Sequence, residues 1–348
     1  MSACIDVGVA GATGLVGQHL IARLARHPWF RVAWAGASDR SAGRRLGDVP
    51  WRAGGACPAE AADLRIATVT PGSLPALVFS ALDASAADTL EPALAAAGHV
   101  VVSNARSCRM RADVPLVVPE INADHLQLIA RQAWSGAIIT NPNCSTTFLA
   151  LALAPLAPFG ITGVTVSTLQ ALSGAGHPGV ASLDALGNVI PFIPGEEEKI
   201  ETETLKILDS VFPISAQTTR VPVVHGHTEL ISVGLDRGVT EADVRDAWAG
   251  FRGGSIVRAL PSAPVAPLEF LSGDDRPQPA RDLDRGDGMT VSLGRLRRCP
   301  VLGWRFVALG HNLVRGAAGA AVLNAELALA SNVIDRAGER TATASLIA

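Results

Sequence analysis

The chain has 348 residues, with 29 Lys plus Arg against 32 Asp plus Glu and a formal net charge of −3. No bulk basic field is present to hold a polyanion, so nucleic-acid binding is not expected. Hydrophobic residues make up 48% and charged residues 18%, which supports a large core in about two domains and argues against global disorder.

Cys4, Cys57, Cys108, Cys144 and Cys299 are scattered and form no CxxC pair. A disulfide framework and a metal site are therefore not expected. The apolar runs are broken by Pro, Gly or polar residues before membrane-spanning length, and no basic stretch precedes an apolar one at the N-terminus. Neither a membrane span nor a signal peptide is expected, and the chain reads as cytoplasmic with reduced thiols.

In chain order, "IDVGVA" is an apolar, β-favouring run. "GATGLVG" then opens "LVGQHLIARLARHP", where Leu15, Val16, Leu20, Ile21 and Leu24 recur at helical spacing. A second strand follows in "RVAWAGAS". "ALVFSAL", "HVVVSNA" and "GAIITNPN" then alternate with helix-like segments, one of them starting near Ala123. This alternation predicts a parallel sheet with helices on both faces.

The pattern changes at Cys144. A long apolar helix is expected over 145–157, followed by strand-like runs in "ITGVTVSTLQAL", "RVPVVHGHTELISVGL", "GMTVSLGRLR" and "WRFVALGHN". The acidic helix "GEEEKIETETLKILD" lies among them. The terminal "LVRGAAGAAVLNAELALASNVI" is helical and too apolar to stand alone, so it is expected to pack back on the first domain. The fold expected is α/β: a dinucleotide-binding domain over 1–143 plus 316–348, and an α+β domain over 144–315 with a large mixed, mostly antiparallel sheet.

Gly8, Gly11, Gly14 and Gly17 lie between a strand and a helix at the head of a βαβ unit. Glycine lets backbone approach a pyrophosphate, and a helix start offers free N–H groups and a positive dipole end. Gly8, Gly11, Thr13, Gly14, Leu15 and Val16 are the cofactor-binding candidates here. "ASDRSAGRR" after the second strand offers Asp39, which favours NAD, against Ser38, Arg40, Ser41 and the Arg44–Arg45 pair, which favour the extra phosphate of NADP. Positive charge outnumbers negative there, and NADP is preferred.

Cys144 follows the turn residues "NPN" and opens an apolar helix. A thiol at a helix N-terminus is biased toward thiolate, and the Asn143 amide offers a hydrogen bond to an oxyanion. A cysteine nucleophile needs a base. "RVPVVHGHTEL" places Arg220, His225 and His227 together, with Gly226 able to bend the chain so that Arg220 and His227 face one pocket. On a strand alone His225 and His227 are equivalent, because i and i+2 share a face. Arg109 beside Ser103 and Asn104 offers an anion ligand, and "GEEEKIE" offers one glutamate for an amine and Lys199 for an anion. The default reading of the acidic run is a solvated helix start, and spacing alone selects the functional reading for none of them.

Together GxxGATGLVG, ASxRSAG, VVSNAxxxRM, VPLVVPEIN, NPNCST, LQALSGAGxPG, GEEEKIE, RVPVxxGHTE, RPQP, GMTVxxGR and LGHNxVRGAAGAAVLNAE occur in order over nearly the whole chain. The sequence resembles the archaeal and fungal branch of the aspartate-β-semialdehyde dehydrogenases. That family reduces L-aspartyl 4-phosphate to L-aspartate 4-semialdehyde with NADPH.

The resemblance implies Cys144 as nucleophile, His227 as acid/base, and Asn143 and Gln170 as residues that position the acyl group. Arg220 is implied for the substrate carboxylate, Glu196 (or a neighbour in 196–198) for the amine, and Lys199 and Arg109 for phosphate, with Ser103 and Asn104 beside Arg109. Ser38, Arg40 and Ser41 are implied around the 2′-phosphate, and Asn312 near the nicotinamide. A homodimer or homotetramer acting on small molecules is expected. Asp39 and His177 depart from the family pattern. The alternatives are a related acyl reductase, such as malonyl-CoA reductase or more distantly N-acetylglutamyl-phosphate reductase, or a non-catalytic dinucleotide-binding protein. The last would need neither Cys144 nor His227.

Overall fold

The computed structural model describes residues 4–236, 238–335 and 337–341. The chain divides into two compact units. The first comprises 1–142, 255–262 and 317–348, and the second 143–254 and 263–316. Residues 255–262 were expected in the second domain and belong instead to the first unit.

The first unit is built on β1 (Ile5–Ala10), β2 (Phe30–Ala37), β3 (Ile66–Thr68), β4 (Leu77–Ser80), β5 (Val100–Ser103) and β6 (Ala137–Thr140). All pairs are parallel, in the order β3-β2-β1-β4-β5-β6. This is the strand order of a doubly wound dinucleotide-binding sheet, with the reversal between β1 and β4. Every residue of β4, β5 and β6 is buried, as expected of parallel strands covered on both faces. The helix Gly319–Ala330, buried along most of its length, packs against the helix Leu15–Leu24 and β5.

In the second unit β7 (Gly163–Gln170), β8 (Ile214–Arg220), β9 (His227–Gly234), β10 (Leu268–Leu271), β11 (Val291–Cys299) and β12 (Gly303–Gly310) form a mixed sheet. Its order is β10-β11-β12-β9-β7-β8, antiparallel from β11 through to β7 and parallel at both edges. Burial alternates along β7, β9 and β12, the pattern of a sheet with one covered face. The helix Cys144–Leu153 covers that face against β9, β11 and β12, and the helix Glu196–Leu208 packs on it and on β8. Leu230, on the opposite face, is 47% exposed.

Two sequence expectations differ from what is observed. The apolar helix stops at Leu153 and continues as a tighter 3-10 stretch, Ala154–Phe159, because Pro155 and Pro158 each remove an N–H donor. The run from Arg220 to Gly234 is not one strand. Between Arg220 and His227 the chain turns, with Gly226 at φ +94°, so β8 and β9 end up on opposite sides of β7.

Candidate active site

Cys144 is the first residue of a helix whose remaining residues are all buried, while Cys144 itself is only half-buried. Asn143 is the cap. Its side-chain oxygen accepts the backbone N–H groups of Ser145 at 3.0 Å and Thr146 at 3.4 Å. The thiol therefore sits at the positive end of the helix dipole, which favours an anion. Gly316 runs directly against it: a Cβ at that position would stand 2.5 Å from the Cys144 Cβ. Only bare backbone fits beside Cys144.

The helix Glu196–Leu208 grips Asn143 from the side. Glu196 Oε2 accepts from Asn143 Nδ2 at 2.8 Å and from Gln170 Nε2 at 3.4 Å, and its Oε1 pairs with Lys199 Nζ at 2.5 Å. Burial alone would raise the Glu196 carboxyl. The charge of Lys199 and the hydrogen bonds from Lys199, Asn143 and Gln170 outweigh that, and it lies below the ordinary range. Of the three adjacent glutamates only Glu196 turns to Asn143; Glu197 accepts the Thr218 N–H and Glu198 is exposed.

The register of the sheet collects the remaining side chains at the end of β7. Gln170 pairs with Arg220 on β8, and Leu169 pairs with Thr228 on β9, next to His227. Arg220 donates to the Ala171 carbonyl at 2.7 Å. Burial lowers its guanidinium value, which the negative charges of Cys144 and Glu196 partly restore.

His227 is fully buried, and Phe148 of the Cys144 helix stands edge-on to its ring at 6.5 Å. Its Nδ1 lies 3.0 Å from the Ala171 N–H, and its Nε2 has no partner among the described residues. Burial first, then the Arg220 charge, pushes the imidazole down to about 3. Gly174 leaves the space above it open, since a Cβ there would lie 3.0 Å from Nε2 and 2.8 Å from Arg220 Nη1. His225 takes another direction and stacks on His311, with ring centroids 5.8 Å apart. The structure thus separates two histidines that are equivalent on a strand, and puts His227 with Arg220.

In the first unit Gly11 has φ +81°, and a Cβ on it would meet the Ala81 carbonyl at 2.4 Å. A Cβ on Gly17 would meet the Gly11 carbonyl at 2.1 Å. Gly14 caps the helix Leu15–Leu24 with no side-chain hydrogen bond, and Thr13, Gly14, Leu15 and Val16 are all at least partly accessible. These features fit a dinucleotide cradle. Ser38, Asp39 and Arg40 are exposed and Ser41 is half-buried. Arg44 donates to the Asp48 carbonyl and Arg45 pairs with Asp63, which leaves Arg40 as the arginine oriented by neither.

Four of the candidate residues have structural surroundings that the sequence did not indicate. Gly8 is not in the loop: it lies inside β1, packed against the Trp34 ring. Ser103 is fully buried, donating to Glu91 at 2.7 Å and accepting from the Ala105 N–H. Asn104 uses its amide on the Ser80 carbonyl and on Asn141. Both residues support the chain beside Arg109, whose guanidinium bonds the Asn104 carbonyl at 2.8 Å. Asn312 is buried in the second unit, accepting from the Gly226 N–H and donating to Ser173 Oγ, each at 2.9 Å. It ties the residue before His227 to the loop that carries Gly174.

Two acidic residues that sequence reasoning passed over also belong to the site's surroundings. Glu203 Oε2 accepts the Asn143 backbone N–H at 2.7 Å. Its spacing of seven from Glu196 on one helix was the available signal. Glu229 is fully buried two residues after His227, on the same strand face.

A dinucleotide cradle in one unit and, in the other, a mixed sheet carrying a helix-capped cysteine and a buried histidine have the features of a dehydrogenase. The comparisons agree. Residues 6–129 match the semialdehyde dehydrogenase NAD binding domain, and residues 153–315 match the semialdehyde dehydrogenase dimerisation domain. The aspartate-semialdehyde dehydrogenase of Archaeoglobus fulgidus is 46% identical, over 94% of this chain and 99% of the archaeal one. That of Cryptococcus neoformans is 41% identical, over 95% and 98%. The crystal structure of the Candida albicans aspartate-semialdehyde dehydrogenase with NADP superposes with a TM-score of 0.87 at 39% identity, covering 95% of this chain and all of that one. The chain belongs to the aspartate-semialdehyde dehydrogenase family.

Proposed function

We propose that the chain reduces L-aspartyl 4-phosphate to L-aspartate 4-semialdehyde through a thioester on Cys144, with NADPH as reductant. The observation that carries this reading is the arrangement around Asn143: a thiol at a helix start, with Glu196, Gln170, Arg220 and His227 held to the same corner of one sheet. A carboxylate and a guanidinium close enough to feel one another's charge suit a substrate that is itself an α-amino acid.

In this reading the Cys144 thiolate attacks the acyl carbon and phosphate leaves toward Lys199. The positive end of the Cys144 helix stabilises the oxyanion. Asn143 Nδ2 already spends one hydrogen on Glu196, so it offers one donor rather than two. NADPH, when bound, supplies the hydride that converts the thioester to the aldehyde level. The Ala171 N–H at Nδ1 fixes the neutral tautomer of His227 with its proton on Nε2. Hydride delivery leaves a tetrahedral oxyanion, to which the His227 Nε2–H donates a hydrogen bond; the oxyanion then collapses, the C–S bond breaks, and the aldehyde departs as the Cys144 thiolate re-forms.

The fit of the Gly11–Gly17 loop, with Arg40, Ser38 and Ser41 exposed after β2, supports NADP as the dinucleotide. The uncovered sheet face around Leu230, within a segment that matches a dimerisation domain, supports a homodimer built on that face. No helix among the described residues is long and apolar enough to cross a membrane, and the cysteines are free, which suits a cytoplasmic enzyme. An acyl-CoA donor is not favoured, since it would leave Glu196 without an amine to bind. The test is formation of NADPH from NADP, phosphate and aspartate 4-semialdehyde. Absence of turnover by the wild-type chain and unchanged turnover by Cys144→Ser would each defeat the proposal.

A further inference from the structure

Asn143 is held twice by one helix. Glu196 takes its side-chain amide at 2.8 Å and Glu203 takes its main-chain amide at 2.7 Å. The two acids are seven residues apart, two turns along the same face. Glu203 is 2% exposed, and a carboxylate accepting a backbone N–H out of water is a strong, directional contact. Asn143 in turn caps the Cys144 helix through its Oδ1. A continuous chain of short contacts therefore runs from Glu203 through Asn143 to the nucleophile.

Glu196 cannot be the sole anchor. Its Oε2 already serves Asn143 and Gln170, and its Oε1 serves Lys199. In the reading given above the substrate ammonium must also be received there, drawing Glu196 away from Asn143 at the moment the acyl carbon arrives. Glu203 touches no substrate atom in that reading.

We infer that Glu203 is a positioning residue: it clamps the Asn143 peptide so that Cys144 stays aligned while Glu196 turns to the substrate. The inference rests on the proposed reaction for its purpose and on the two Asn143 contacts for its geometry. An alignment error of about 1 Å at a reacting atom costs on the order of 100-fold in rate, so loss of the clamp is expected mainly in kcat.

The test compares Glu203→Met, which fills the same space without an acceptor, with Glu203→Gln, which keeps one. Both are assayed for kcat and KM with aspartate 4-semialdehyde, phosphate and NADP, and for the rate of Cys144 alkylation by iodoacetamide. The expectation for Met is kcat lower by about 10- to 100-fold, KM within about twofold and slower alkylation. Gln is expected to return to within about threefold of wild type. A role in filling volume alone predicts that Met and Gln behave alike, and that result overturns the inference. Wild-type kcat and alkylation in Glu203→Met overturn it as well. Should that variant not fold, Glu203→Asp keeps the charge but falls one methylene short of the Asn143 N–H; it is expected to lose as much, and wild-type rates in it are equally fatal. If no form, wild type included, turns over the substrate, the proposed reaction fails, while the alkylation rates still decide the clamp.

Discussion

The backbone N–H of Ala171 points at Nδ1 of His227 from 3.0 Å. An amide can only donate, so Nδ1 must be the bare nitrogen and Nε2 the protonated one. In the free enzyme His227 is therefore a neutral imidazole presenting its Nε2–H as a hydrogen-bond donor for an oxyanion. Removing it in His227→Asn is expected to lower kcat by about 100-fold or more, while Cys144 remains open to alkylation. Turnover within threefold of wild type would remove His227 from the chemistry.

The same residue makes a pH prediction. Burial, then the charge of Arg220, holds His227 down to about 3, against an unfolded value of about 6.5. A depressed folded value means that its contribution to stability is complete above the unfolded value and is lost as pH falls from there toward about 3. Wild type should lose melting temperature on acidification across that window more steeply than His227→Asn. Melts at several pH values between neutrality and mild acid check this, and parallel curves would contradict it.

Glu229 carries the opposite sign. It is wholly buried, both oxygens lack hydrogen-bond partners among the described residues, and its cross-strand neighbour is Thr168. Burial raises its carboxyl well above the ordinary value, with Ser145 nearby offsetting only part. A raised folded value means that its full contribution is present below the unfolded value and erodes as pH rises toward the folded one. Glu229→Gln, which cannot ionise, is expected to gain melting temperature over wild type at pH 8 and to gain less at pH 5. A loss at pH 8 would show the group to be charged in the fold.

Gly174 faces His227 and Arg220 with nothing but backbone. A Cβ there would stand 2.9 Å from His227 Cε1 as well as 2.8 Å from Arg220 Nη1, closer than real Cβ atoms approach. Gly174→Ala should raise KM for aspartate 4-semialdehyde and lower kcat, each by about tenfold, because the filled space is the one above Nε2. The melting temperature should change little, since φ at this position is not in the left-handed range. Unaltered kinetics would mean that the substrate does not enter there.

Arg40 is exposed after β2, while Arg44 and Arg45 are tied to Asp48 and Asp63. Arg40→Ala is expected to raise KM for NADPH by about tenfold or more and to leave KM for NADH nearly unchanged, narrowing the preference between them. Equal effects on both cofactors would place the 2′-phosphate elsewhere.

Some of this site could be read directly from residue order. The "NPN" turn before an apolar run encodes a capped helix start, and that is how Cys144 is presented. What local pattern could not reveal is which strand lies between which. Arg220 and His227 are seven apart in sequence, yet they meet at the site because β8 and β9 flank β7, with Gln170 between them. Strand order is a tertiary outcome, so a bend at Gly226 was the nearest sequence-level account. Buried polar side chains posed the second difficulty. Ser103, Asn104 and Asn312 have the chemistry of ligands but spend it on Glu91, Asn141 and Gly226. Glu203 and Glu229 read as solvated acids until their burial is known. Composition does not say who answers a hydrogen bond.

The first unit is assembled from both ends of the chain, with the catalytic unit threaded between them. Its helix Gly319–Ala330 lies against the very first helix and the fifth strand. During synthesis the first unit's sheet is complete at Thr140 but stays bare along one flank until about 190 further residues, through Ala330, have been made, whereas the second unit runs from 143 to 316 with only the eight residues 255–262 given to the other unit. Of the two units, the one begun first is the one whose folding must be finished last, and in vivo its apolar flank is the surface that chaperones have longest to shield.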